Sequence, residues 1–365
     1  MSMIRKHLLR VNPYEAGKPI DEIKRQLKLN EVIKLASNEN PLGPSPKAME
    51  AVRRKLSTVN RYPDSGGYYL RKKLARFFNL EPANIILGNG SDELIDIIIK
   101  TFVEDDEHIL TADLTFLEYK IVSFVNGRAV VTVPLKYFKY DLDAIKKRIT
   151  QKTKLVFIAN PNNPTGTYVT QYEIEEFLKG LPENLLVVLD EAYDAFIDVD
   201  DFPNSLSYIR RKNVLVLKTF SKTYGLAGLR IGYCLGDLKF VSCLERARQP
   251  FNVNSLAQEA AIAALDDRKF LNKTRALILE GKEYLYENLT QLGMAYVPSV
   301  ANFILIDTGR DGFALFKEML RYGVIVRDMR QYGLKNFIRV TIGTKKENIR
   351  FIKVFKKILK GKEKR

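Results

Sequence analysis

The chain has 365 residues, 46% of them apolar and 28% charged, which suits a soluble globular protein with a large core and, at this length, two domains. Two histidines, His7 and His108, and two cysteines, Cys234 and Cys243, nearly exclude a His-based triad, a multi-His metal site, a zinc cluster or a disulfide framework. No metal is therefore expected, and chemistry must run on Lys, Asp, Tyr and Arg or on a cofactor. The net charge of +16 permits a nucleic-acid reading, but Lys and Arg are interleaved with acids, as in Glu280-Gly281-Lys282-Glu283. Only the tail from Lys356 to Arg365 is densely basic, so neither nucleic acid nor a membrane surface is an expected partner.

The opening Met-Ser-Met-Ile-Arg-Lys lacks the pattern of a secretion signal, and no apolar run approaches the ~20 residues of a membrane span, so a cytoplasmic location is expected. The first sixty or so residues read as loop-rich. The stretch from Leu35 to Pro46 packs three prolines and a glycine together and cannot be helix or central strand. A helix is predicted from Pro46 to Leu56, followed by the irregular Asn60-Arg61-Tyr62-Pro63-Asp64.

From Asn84 to Arg230 strand, loop and helix alternate. Ile85-Ile86-Leu87 is a short strand, and Gly88-Asn89-Gly90-Ser91-Asp92-Glu93 leads into an apolar helix whose free N–H groups make an anion cradle. His108-Ile109-Leu110 and residues 129–133 read as further strands, with Thr115-Phe116-Leu117-Glu118-Tyr119 opening a helix between them. Residues 154–159 form a strand ending in Asn160-Pro161-Asn162-Asn163-Pro164-Thr165-Gly166. Residues 185–189 form another ending in Asp190-Glu191-Ala192-Tyr193. Val214-Leu215-Val216-Leu217 runs into Thr219-Phe220-Ser221-Lys222 and on to Arg230. Near-continuous apolar strands between helices argue for a mainly parallel sheet covered on both faces. Beyond Arg230, an Ala-rich helix spans 255–265 and a long amphipathic helix spans about 269–292. Strands at 301–307, 324–327 and 337–342, with helices between and after them, complete the chain.

In a parallel sheet the loops after successive strands gather at one edge, where they share a pocket. A lysine amine beside hydroxyl and guanidinium donors suits a cofactor with both an aldehyde and a phosphate, which describes pyridoxal phosphate (PLP). Lys222 then supplies the amine, and Asp190 pairs with the pyridine nitrogen and keeps it protonated. Asn163 and Tyr193 donate to the ring's phenolic oxygen, Phe116 lies flat on the ring, and Gly90, Ser91, Asp92, Thr219, Ser221 and Arg230 surround the phosphate. Lys222, Asp190 and Tyr193 are the catalytic candidates, and Lys222 doubles as general acid and base.

Asn-Asn-Pro-Thr-Gly, Asp-Glu-Ala-Tyr and Ser-Lys-x-x-Gly-Leu-Ala-Gly-Leu-Arg, in this order and spacing, resemble the fold-type I PLP aminotransferases. The segments Leu35 to Met49, Arg61-Tyr62-Pro63-Asp64, Gln249 to Asn254 and Arg339 to Thr344 resemble the histidinol-phosphate aminotransferases more narrowly. The resemblance implies an α/β fold. Its large three-layer domain, over 46–265, holds a mainly parallel seven-stranded sheet and PLP. A smaller α/β domain is built from residues 1–45 and 266–365. It also implies a homodimer in which Tyr62 reaches the partner subunit's PLP phosphate. Tyr14, Asn38, Arg327 and Arg339 are implied to bind substrate. Two guanidinium groups and a phenol suit a phosphate ester, or the far carboxylate of glutamate. The implied reaction is transamination of L-histidinol phosphate with 2-oxoglutarate, giving imidazole acetol phosphate and L-glutamate, a step of histidine biosynthesis. Aromatic amino-acid transamination and decarboxylation of threonine phosphate remain open on the same motifs.

Overall fold

The computed structural model describes residues 3–13, 17–210 and 213–360. Seven strands form one sheet in the spatial order Ile85–Gly88, Gly232–Gly236, Val214–Thr219, Leu186–Asp190, Thr153–Ala159, His108–Ala112 and Ala129–Val133. All neighbours run parallel except Gly232–Gly236, which opposes the strand on either side. Val156, Phe157, Leu186 to Leu189 and Val214 to Leu217 are buried, as continuous apolar strands covered by helices on both faces must be. Helices Ser91–Phe102, Glu118–Val125, Leu238–Ala247 and Ser255–Leu265 contribute side chains to the same core.

A second, five-stranded sheet runs Ile33–Leu35, Val324–Asp328, Phe337–Thr341, Phe303–Asp307, Tyr296–Val297. The long helix Arg268–Gln291 and the last helix, Lys345–Lys360, pack Ile278, Leu285, Phe351 and Phe355 into its own core. Tyr193 and Phe196 also belong to this second core, although they follow directly from a strand of the first sheet. The loop after Asp190 therefore reaches from one sheet to the other.

Ser45 and Asp267 join the two parts by capping. Ser45 caps helix Pro46–Lys55 by accepting from the Ala48 N–H, and its hydroxyl donates to Asp267 Oδ2 at 2.6 Å. Asp267 in turn caps the long helix by accepting from the Phe270 N–H, so two helix starts are fixed by one contact.

Some elements escape the sequence reading. Strand Gly232–Gly236 continues the large sheet past Arg230, where the strand–helix alternation was expected to end. Glycines at both of its ends hide it from an apolar-run criterion. They are there for a reason: a Cβ on Gly232 would come within 2.8 Å of the Ser91 nitrogen and 3.0 Å of the Lys218 oxygen. Helices Ile20–Leu27 and Tyr68–Phe78 also form, so the N-terminal third holds more regular structure than its prolines suggest.

Candidate active site

The register Ala159, Asp190, Leu217 across three parallel strands brings their C-terminal ends level, so the loops that follow open at one edge. There they enclose a cavity of about 260 Å³. Asn163, Asp190, Tyr193, Thr219, Ser221 and Lys222 line it from the large sheet. Ser91, Asp92 and Arg230 close one end, Phe116 lies on the wall, and Asn38 and Arg339 reach in from the small sheet's side. The sequence-predicted cofactor residues are thus gathered, apart from Tyr62; Gly90 abuts this group behind Arg230 without lining the cavity.

The closed end could hold an anion. Helix Ser91–Phe102 presents its free N–H groups there, and Arg230 stands over its first turn. Gly90 takes φ +83°, and a Cβ on it would lie 2.4 Å from Arg230 Nη2, so only glycine leaves the guanidinium room. Arg230 Nη2 donates to Asp92 Oδ2 at 2.7 Å, which commits the Asp92 side chain to orienting the arginine and leaves only its backbone N–H available to an anion. Ser221 N–H donates to Thr219 Oγ1 at 3.0 Å and steadies the turn into Lys222.

Asp190 is almost wholly buried, and burial pushes its carboxyl from 3.8 up to about 6. Two hydrogen bonds act the other way: Tyr119 donates its hydroxyl to Oδ2 at 2.7 Å, and the Ala192 N–H donates to Oδ1 at 3.2 Å. A cationic ring nitrogen is the partner such a carboxylate calls for. Lys222 Nζ donates to the Ser37 carbonyl at 3.2 Å and sits 5.8 Å from the centre of the Tyr193 ring.

Asn38 is buried at φ +55° and ties three parts together. Its side-chain amide donates to Tyr193 Oη at 2.9 Å, its carbonyl oxygen Oδ1 accepts from Thr341 Oγ1 at 3.1 Å, and its backbone oxygen accepts from Asn302 Nδ2 at 3.1 Å. It thereby positions the Tyr193 hydroxyl. Arg339 donates from Nη1 to Asn163 Oδ1 and from Nη2 to the Ala36 carbonyl at 3.0 Å. Arginine can only donate, so Asn163 must present its oxygen to Arg339, which leaves its NH₂ able to donate to a group in the cavity. Arg339 Nε is buried with no hydrogen-bond partner in the structure, an unmet donor at the substrate end.

The remaining substrate and cofactor residues fall differently. Arg327 is buried and is the direct cross-strand partner of Arg339, but it lies one strand away and does not line the cavity; its Nη2 donates to Gln331 Oε1 at 3.0 Å. Tyr62 is 83% exposed and stacks on Phe251 at 4.7 Å, outside this subunit's cavity. Tyr14 lies outside the described residues. Tyr119, Ser37 and Glu118 line or support the cavity and were missed. Tyr119 was within reach, since it falls three residues after Phe116 and meets its ring edge-on, although Phe116 lies just before the helix that starts at Glu118. Burial pushes the Glu118 carboxyl up, with Asp92 adding to it.

A sequence model described as "Aminotransferase class I and II" matches residues 30–355, and the chain belongs to that family. Histidinol-phosphate aminotransferases from Moorella thermoacetica and from an Anaeromyxobacter species are 47% and 46% identical to it. The first alignment covers 97% of this chain and 92% of that protein, the second 98% and 100%. A crystal structure of histidinol-phosphate aminotransferase from Sinorhizobium meliloti in complex with pyridoxal-5'-phosphate superposes with a TM-score of 0.88 at 28% identity, over 97% of this chain and 98% of that one. Aspartate aminotransferase from Thermus thermophilus shares the fold at 22% identity and a TM-score of 0.82. Among the described residues no helix is long and apolar enough to cross a membrane, and no group of three or more His, Cys, Asp or Glu could hold a metal ion.

Proposed function

We propose that this chain is a PLP-dependent histidinol-phosphate aminotransferase that passes the amino group of L-histidinol phosphate to 2-oxoglutarate, giving imidazole acetol phosphate and L-glutamate. Residues 46–265 form the cofactor-bearing domain, and residues 1–45 with 266–365 form the smaller one. When bound, PLP supplies an electron sink and a carrier for the amino group. The chain supplies the rest. Lys222 Nζ would hold the cofactor's aldehyde carbon and, once the donor's own amine has taken that place, the freed lysine amine would accept the donor's Cα proton and return it one position along. Asp190 would hold a proton at the pyridine nitrogen, Asn163 and Tyr193 would donate to the ring oxygen, and Phe116 would cover the ring face. Ser91, Thr219, Ser221, Arg230 and the Asp92 backbone would hold the phosphate, with Gly90 leaving Arg230 the room to do so.

One observation carries the substrate reading: Arg339, at the cavity, and Arg327 are buried side by side as register partners. Like charges directly opposite one another in a sheet are destabilising. A dianionic phosphate ester offsets that cost, as does a second carboxylate, whereas a phenyl side chain does neither. The 41–47% identity to histidinol-phosphate aminotransferases over 97–98% of the chain supports the same substrate. A homodimer in the cytoplasm fits this reading. Tyr62, exposed in one subunit, then serves the partner's phosphate site.

Glutamate formation from 2-oxoglutarate tests the substrate, with histidinol phosphate, histidinol, phenylalanine and tyrosine compared as donors on one preparation. Histidinol phosphate is expected to give the highest kcat/KM, and removal of its phosphate to cost at least a hundredfold. A preference for phenylalanine or tyrosine would overturn the proposal.

A further inference from the structure

We propose that Tyr119 is a positioning residue for the cofactor: its hydroxyl fixes Asp190 as the anion that leaves the proton on the pyridine nitrogen, and its ring joins that anion to Phe116. The proposal rests on the PLP reading above and deepens it.

Tyr119 is fully buried in the first turn of helix Glu118–Val125. Its ring lies parallel to Phe157 on the central strand Thr153–Ala159, 4.7 Å away and 11° from coplanar. Phe116 meets it edge-on, at 5.6 Å and 89°. Held on both sides, the phenol has a single orientation, and in that orientation its hydroxyl is 2.7 Å from Asp190 Oδ2. Burial, with Asp190 beside it, pushes the phenol well above its ordinary range, so it stays protonated and donates.

Asp190 needs such a donor. Burial, Asp92 and Glu191 all favour its neutral form, and the Tyr119 hydrogen bond is the strongest influence against it. In the loaded site one proton is shared between two bases, the carboxylate and the pyridine nitrogen. The hydrogen bond from Tyr119 makes the carboxylate the weaker base, so the proton would stay on nitrogen, where it draws electrons into the ring. The same phenol also sets Phe116, so the contact on the ring's face and the contact at its nitrogen share one support.

The test uses the PLP-loaded full chain with ¹⁵N in the pyridine ring. Uptake of labelled PLP by the wild type checks the function reading separately; absence of uptake overturns that reading as well as this one. At neutral pH the wild-type ¹⁵N resonance is expected in the protonated range. Tyr119→Phe, which keeps the ring and loses only the hydroxyl, should move it toward unprotonated pyridine and lower kcat about ten- to hundredfold, the weight of one hydrogen bond to a charged group. A purely packing role would leave the resonance in place. 3-Fluorotyrosine at the same position, a stronger donor of nearly the same shape, should hold the resonance at least as far into the protonated range as the wild type. It decides the matter if the Phe variant does not load. An unmoved ¹⁵N resonance in Tyr119→Phe, or a 3-fluorotyrosine shift toward unprotonated pyridine, would overturn the proposal.

Discussion

Replacing Arg327 with methionine separates substrate recognition from folding. Arg327 and Arg339 are 7% and 5% exposed and stand directly opposite across adjacent strands. Directly opposed residues of an antiparallel pair have Cβ atoms about 4.5–5.5 Å apart. Methionine keeps most of the apolar volume of the arginine stem, removes one of two like charges, and releases Gln331 from one hydrogen bond. The fold is therefore expected to keep its stability, to within about 1 kcal/mol. The cost falls on the phosphate ester. On the proposed reading the phosphate reaches past Arg339 to Arg327, and losing that desolvated, charge-assisted contact is worth about 3 kcal/mol, or roughly a hundredfold in kcat/KM. Phenylalanine, with no distal anion, should lose less than about threefold. The assay is initial-rate transamination of each donor with 2-oxoglutarate saturating for each protein, alongside a thermal melt. Equal losses for both donors with an unchanged melt would refute the assignment of Arg327 to the phosphate.

Lys222→Ala is expected to fold and hold PLP weakly while transamination falls by many orders of magnitude; a tenth of the wild-type rate would show that another amine does the work. Asp190→Asn should cut turnover by several orders of magnitude yet stabilise the cofactor-free chain. The folded carboxyl lies near 6 against 3.8 for an ordinary one, so the folded state binds the extra proton between these values. Stability is then lost as pH rises through that window and stays lower above it, by up to about 3 kcal/mol, so the Asn variant should melt higher at neutral pH and show a flatter profile. Matching melting profiles for the two proteins would contradict the burial argument. Mixed dimers of Tyr62→Phe and Lys222→Ala subunits should regain activity, because one of the two sites then has both residues intact. Hybrids with confirmed exchange and no recovery would place Tyr62 away from the partner's site.

Much of the site is readable along the chain because its parts sit at fixed places in a simple pattern. Asp190, Asn163 and Lys222 each follow an apolar strand, and parallel strands deliver such residues to one edge. Strand Gly232–Gly236 was not readable, because the close approach of Ser91 and Lys218 demands a glycine where an apolar residue would have marked a strand. Asn38 is a second case. Its hold on Tyr193 joins residues 155 apart in sequence, and nothing local to either announces the contact. The pairing of Arg327 with Arg339 also needs three dimensions, since their spacing of twelve residues says nothing of strand register until the hairpin-like return through Phe337–Thr341 sets it. Tyr119 stands only three residues after Phe116, but its partner Asp190 is 71 residues away, so the contact between them is not announced locally.

The most direct test of the function is the isolated first half-reaction. PLP-loaded protein is mixed with L-histidinol phosphate and no acceptor, while the absorbance of the Lys222-bound cofactor and the keto product are followed together. The absorbance should be consumed with one imidazole acetol phosphate formed per subunit, then return on addition of 2-oxoglutarate with release of one glutamate. Absorbance that histidinol phosphate leaves untouched, and that phenylalanine or tyrosine consumes, would contradict the account.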